Sequence, residues 1–263
     1  HTEGMAVVLP IFPLNTVLFP GMSVPLHVFE PRYRSLVEEL TEPVAAEDEP
    51  ERSPQRQRRF GAVWIELGHE VAADPGSDEE SATDTGIPAI GEPGTTLPRV
   101  SSTGCTALLR DVRSYEDGRY DLLIEGGARF AITDLGSVDA SSPEEYATAS
   151  VSFLAEHRGS NVDEHAERVR ELYETYCDRL ASIGMAPDIS RDLPKDPIAL
   201  SYTVASTIVL DQAEKQRLLE AEDAATRLAV AARFLRRENR IVAAPTLYNL
   251  PAGPFLDRGV SFN

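Results

Sequence analysis

Near residue 160 the chain changes its hydrophobic period, and that change limits the folds open to it. Before it, apolar residues come in short runs cut by proline and glycine. Residues 6–12 and 23–29 are two such runs, separated by Pro13, Pro20 and Gly21. Residues 60–67 (FGAVWIEL) are β-branched and aromatic. Residues 100–112 and 120–125 flank Tyr115-Glu116-Asp117-Gly118-Arg119, whose Asp-Gly pair supplies the positive φ of a tight hairpin. Tyr120, Leu122 and Ile124 share one face by period two. Gly126-Gly127 is expected to turn the chain into a further strand, 128–133, and 147–155 is expected to be the last. Many short strands at close spacing read as a small antiparallel barrel or a sandwich. One helix interrupts them, with Pro31 at its first position and Tyr33, Leu36, Val37 and Leu40 as its apolar stripe.

After residue 160 the period is helical. Asn161 is the expected N-cap, with Glu164 closing a capping box. Val162, Val169, Leu172, Tyr173, Tyr176, Leu180 and Ile183 form a stripe that Gly184 ends. Asp196 caps the next helix, with Pro197 at its first position. No charge occurs from 197 to 210, the pattern of a helix buried all round. Asp211 and Asp223 are expected to cap helices over 212–220 and 224–242. The last turns Leu228, Ala231 and Leu235 inward and Arg233, Arg236, Arg237 and Arg240 mostly outward.

Charge excludes some functions. The 263 residues hold 25 Lys and Arg against 43 Asp and Glu, a net charge of −18. Such a surface repels phosphate backbones and anionic lipid. With 42% apolar residues a packed core is within reach. No apolar run is long enough to span a membrane, and the first residues lack the order of a signal peptide. Cys105 and Cys177 stand far apart, outside any C-x-x-C. A soluble, cytoplasmic protein is expected. Residues 42–59 and 69–98, biased in charge and rich in turn-forming residues, read as surface insertions.

No motif assembles an active site. Asp84-Thr85-Gly86 has the aspartic-protease tripeptide but follows DEESAT rather than an apolar strand. A Ser–Lys dyad needs a lysine made neutral by burial. The only lysines are Lys195, beside Asp196, and Lys215, between Glu214 and Gln216, and both read as solvated. His27 reads as a mid-strand histidine, partly buried and hydrogen-bonded. His157 and His165 lie at a strand-to-helix junction without metal-ligand spacing. No phosphate loop, dinucleotide fingerprint or nucleophile elbow is present. The Arg236-Arg237-x-x-Arg240 cluster is what a helix C-terminus favours. No catalytic residue, cofactor or metal site is therefore expected.

Residues 9–30 (LPIFPLNTVLFPGMSVPLHVFE) resemble the opening of the Lon N-terminal, substrate-binding domain family, roughly L-P-x-x-P-L-x-x-x-V-x-F-P-G-x-x-x-P-L-x-V followed by a helix. Later segments resemble the family in the same order: residues 60–67, STGCTA at 102–107, DGRYDLLIEG at 117–126, and LSYTVA and DQAEKQRLLE in the helical half. The resemblance covers about 7–239. It implies an α+β fold: a small antiparallel β-barrel related to pseudouridine-synthase-and-archaeosine-transglycosylase-like (PUA-like) domains, with one inserted helix, then a C-terminal helical bundle. The expected boundaries are 5–158, 159–242 and an extended tail at 243–263. Full Lon proteases add an ATPase module and a Ser–Lys peptidase, and neither motif set occurs in these residues.

The resemblance implies a non-catalytic module that recognises unfolded or tagged polypeptides, adaptor- or chaperone-like, alone or with a protease or chaperone partner. The expected binding residues are Phe19 and Met22 at the Pro20-Gly21 turn, Phe29, and Tyr33 flanked by Arg32 and Arg34; the alternative is that these side chains complete the core. The rival readings are an RNA-binding barrel using the arginines of 52–59, and a small-molecule-binding barrel. No membrane partner is expected, and nucleic acid fits the net charge poorly.

Overall fold

The computed structural model describes residues 7–42, 58–66, 89–90, 99–136, 145–185 and 191–243. They fall into two compact units. One comprises the strands and the first helix; the other comprises residues from Ala155 onward together with Phe19–Met22.

In the first unit, β1 (Val7–Leu14) and β2 (Ser23–Val28) precede α1 (Pro31–Thr41). Then come β3 (Arg59–Trp64), β4 (Ala89–Ile90), β5 (Val100–Ser101), β6 (Thr103–Ser114), β7 (Tyr120–Leu135) and β8 (Thr148–Phe153). The main sheet has the order β2-β7-β6-β3-β1-β8, and β7 also pairs with β8. The strand pairings therefore run in a cycle from β7 through β6, β3, β1 and β8 back to β7. The sheet is mixed, which corrects the all-antiparallel expectation: β1 and β3 are parallel, with Ile11 opposite Gly61 and Leu14 opposite Trp64. The chain between them, β2 and α1, is long enough to make the crossover that parallel neighbours require. Leu9, Ile11, Val63, Val100, Phe130, Ala149 and Val151 build one buried cluster.

Two local expectations fail in the strands. Gly126-Gly127 does not turn the chain; β7 runs unbroken for 16 residues. A Cβ on Gly127 would lie 2.5 Å from the Thr106 hydroxyl oxygen. The glycine is there so that β6 can approach, and a register shift between Cys105 and Ala107 accompanies it. Within the 69–98 insertion, Ala89–Ile90 pairs with β5 as a short second sheet rather than forming loop. The rest of that insertion, most of 42–59 and the tail from 244 lie outside the described residues. The Asp-Gly hairpin forms as expected: Gly118 takes φ +80°, and the Tyr115 N–H donates to the Arg119 carbonyl at 2.9 Å.

The second unit holds α2 (Val162–Ser182), α3 (Pro197–Thr207), α4 (Gln212–Glu220) and α5 (Ala224–Val242). Asp196, Asp211 and Asp223 each accept a hydrogen bond from the backbone N–H three residues on, at 2.9, 2.7 and 2.7 Å. Such caps are worth about 1 kcal/mol each. The capping box at Asn161 does not form: Asn161 is left-handed, φ 56°, and its side chain caps nothing. In that conformation the side chain cannot reach back to the first turn.

The charge-free α3 is packed against by α2, α4 and α5, and Leu200, Val204 and Ala205 are fully buried. Buried Arg227 ties the unit together. Its Nε donates to the Leu218 carbonyl at 3.0 Å, Nη1 to Ser201 Oγ at 2.9 Å and Nη2 to the Ala221 carbonyl at 3.2 Å. Its guanidinium lies 4.0 Å from the Tyr202 ring centroid. The charge is admissible in a core because backbone carbonyls take its donors.

Candidate functional site

Of the six residues expected to bind a partner, two are buried and one is exposed. Phe19 is fully buried, and its ring centroid lies 6.5 Å from that of Tyr202. Tyr33 is 7% exposed and stacks on Phe12 at 4.0 Å, which in turn meets Phe60 at 5.4 Å. Burial pushes the Tyr33 hydroxyl well above its ordinary pKa. Both side chains are therefore core, so for these two the core alternative holds and the expected exposure does not. The apolar tip of the Pro20-Gly21 turn docks among the helical residues, and the Tyr33 ring closes the inner face of α1.

Met22, Arg32 and Arg34 are half-buried. The Met22 N–H donates to the Phe19 carbonyl at 3.0 Å, closing the turn. Arg32 pairs with Glu30 at 3.2 Å and lies over the Tyr33 ring. Arg34 packs on the hairpin at Gly118, where a Cβ would lie 2.0 Å from its guanidinium. Only Phe29 is exposed, at 42%.

What the strand unit presents outward is the far side of β2, β7 and β6. Period two turns Val24, Leu26 and Val28 into the core and leaves Ser23, Pro25 and His27 outside, a row that Phe29 continues. Across the antiparallel register, His27 faces Asp121 and Pro25 faces Leu123, while Asp121 faces Arg113 on β6. His27 Nδ1 lies 2.7 Å from Asp121. The Tyr115 hydroxyl donates to the other carboxylate oxygen of Asp121. The hydrogen bond from His27 first, then that from Tyr115, hold the Asp121 carboxyl below the ordinary carboxylate range. The Tyr115 hydroxyl is pushed up by the carboxylate it donates to. Arg113 lies over the Tyr115 ring at 5.3 Å.

Next to this polar trio stand Phe29, 6.4 Å from His27 between ring centroids, and Leu123, 41% exposed. The face thus offers apolar side chains beside fixed hydrogen-bonding groups. The sequence marks β2 only as a short apolar run, with Phe29 named as a binding residue. It does not mark Leu123 or Tyr115 as neighbours of His27 and Phe29, because that depends on the register of two other strands.

A shallow groove of about 470 Å³ between α1 and β6 is lined mainly by polar residues, among them Thr41, Arg58, Arg110, Asp111, Ser114 and Tyr120. Lys215 is half-buried rather than fully solvated as expected. Its Nζ donates to the Ser206 carbonyl at 3.0 Å, and burial pushes its pKa down. Its partner is a backbone carbonyl; the Ser206 hydroxyl donates to the Thr203 carbonyl at 2.9 Å. Lys195 is exposed. Among the described residues no group of three or more His, Cys, Asp or Glu could hold a metal ion, and no helix could cross a membrane. Asp84-Thr85-Gly86 lies outside the described residues.

The family model described as the ATP-dependent protease La (LON) substrate-binding domain matches residues 8–237. The curated relative "Lon protease 2" of Sorangium cellulosum is 26% identical over 250 residues, which is 89% of this chain and 25% of that protease. This chain thus spans about a quarter of that relative. The crystal structure of a Lon N-terminal domain protein from Xanthomonas campestris superposes with a TM-score of 0.52 at 20% identity, covering 85% of this chain and 95% of that one. The N-terminal domain of the Mycobacterium avium complex Lon protease gives 0.52 at 17% identity, covering 89% and 98%. These two likenesses establish the mixed α+β fold. The family match spans nearly the whole described chain, strands and helices alike, and the chain belongs to the Lon substrate-binding domain family.

Proposed function

We propose that this chain is a non-catalytic polypeptide-recognition module that acts on unfolded or tagged segments as an adaptor or chaperone-like binder in the cytoplasm. The closed cycle of strand pairings is read as a small barrel serving as a rigid frame, with the four later helices as a packed bundle. The outer face of β2, β7 and β6 carries the reading, because there Phe29 and Leu123 stand exposed beside the His27–Asp121–Tyr115 trio. An extended client would place apolar side chains on Phe29, Pro25 and Leu123. Its backbone or polar groups would meet Tyr115, His27 and Arg113. Of the residues expected from the sequence, Phe29 remains in this surface, while Phe19 and Tyr33 support it only by holding the fold.

The test is a binding titration with a permanently unfolded, reduced and alkylated protein. Phe29→Ser combined with Leu123→Ser should weaken binding at least about fivefold, roughly 1 kcal/mol, and leave the melting temperature nearly unchanged. Undiminished binding would remove this face from the proposal. Incubation with ATP and casein should give background turnover only.

A further inference from the structure

We propose that the outward face of α5 is a docking surface for acidic polypeptide segments, distinct from the strand face and carried by Arg233, Arg236 and Arg240. Helix α5 is an electrostatic exception. The chain carries −18, yet α5 holds five arginines and a single acid, Glu238. Two of the five are accounted for by the fold. Arg227 is buried against carbonyls and Tyr202. Arg237 is clamped by Glu214 and Glu238.

The other three are exposed and, among the described residues, have no carboxylate partner. Five exposed arginines elsewhere pair with a carboxylate, Arg99 with Glu66, Arg110 with Glu125, Arg119 with Asp117, Arg158 with Asp163 and Arg191 with Asp178. Exposed Arg58, Arg113 and Arg168 stand singly on different segments, so that α5 alone gathers three such arginines on one helix face.

Their spacing makes them one surface. Positions 233, 236 and 240 are i, i+3 and i+7, so the guanidinium groups line a stripe about 10 Å long. Like charges at this spacing repel and disfavour the helix. The helix dipole offsets this only in the last turn, which includes Arg240 but not Arg233. Half-buried Ala229 and Val230 and exposed Ile241 flank the stripe, supplying apolar contacts between the charges.

The matching partner carries carboxylates interleaved with apolar side chains. Each guanidinium can take a carboxylate in a two-point hydrogen bond. A nucleic acid fits less well, because its phosphates would meet a predominantly acidic surface beyond so short a stripe.

This extends the polypeptide-recognition reading to a client class and a second surface. The test titrates the full chain with a short peptide rich in Glu and Leu, the same peptide with Gln for Glu, and a single-stranded oligonucleotide. The acidic peptide should bind tighter than its Gln counterpart, and the difference should shrink as salt rises to about 0.15 M. Arg233→Gln, Arg236→Gln and Arg240→Gln together should weaken acidic-peptide binding roughly tenfold, as the loss of three surface pairs. The triple Lys replacement should retain most of it.

The proposal is overturned if the acidic and Gln peptides bind alike, if the Gln variant binds the acidic peptide as well as wild type does, or if the oligonucleotide binds tighter through these arginines. Failure of the strand face would appear instead with the unfolded client and the Phe29→Ser, Leu123→Ser variant.

Discussion

Phe29 and Tyr33 lie four residues apart and have opposite roles. The first ends β2 on its outward row and is exposed; the second turns into the core beneath α1 and stacks on Phe12. Tyr33→Ala should therefore cost about 3 kcal/mol in chemical denaturation. Phe29→Ser should stay within about 0.5 kcal/mol.

Two carboxylates make the pH dependence of stability legible. The hydrogen bonds from Arg237 hold the Glu214 carboxyl below its ordinary pKa. Its contribution is complete above the unfolded value of about 4.3 and is lost as pH falls through the folded value. Glu214→Gln should cost about 1 kcal/mol at neutral pH and flatten the acid limb of the stability curve. Glu220 has the opposite sign: burial raises its carboxyl pKa, although Gln216 donates to it at 2.8 Å. Its ionised form is disfavoured in the folded state, so stability rises as pH falls through the folded value toward the unfolded one. Glu220→Gln keeps the acceptor and should leave the protein at least as stable at pH 7, with less gain on acidification.

Among the elements, β7 organises the strand unit, and its middle is set by Gly127. Gly127→Ala would push a Cβ against Thr106 and should destabilise by about 1–3 kcal/mol. Asp211→Ala should cost about 1 kcal/mol through loss of the α4 cap.

These two cases show what was legible in the sequence. Aspartate caps, the proline starts of α1 and α3 and the Asp-Gly hairpin are local, and each stands where the sequence puts it. Gly126-Gly127 looks like a turn because its reason for being glycine, the approach of Thr106, lies on another strand. The parallel β1–β3 pair is equally non-local. At Asn161 the residue type is right for a cap, but its left-handed backbone is not. Of the candidate site, only Phe29 was named from the sequence. Leu123 and Tyr115 required the register of three strands, and the burial of Phe19 required the packing of Tyr202.

For the whole molecule, a strand unit and a helical unit each have their own core, and the match to the Lon substrate-binding domain family spans both. Placing client recognition on one face of the strand unit makes the account specific. The most direct test is to follow backbone amide signals of the isotopically labelled chain while an unfolded, reduced and alkylated protein is added. The account predicts that the largest perturbations fall within residues 23–29 and 113–125, with the interior of α3 unaffected. Binding whose perturbations spare both of those segments, or the absence of any binding, would contradict it.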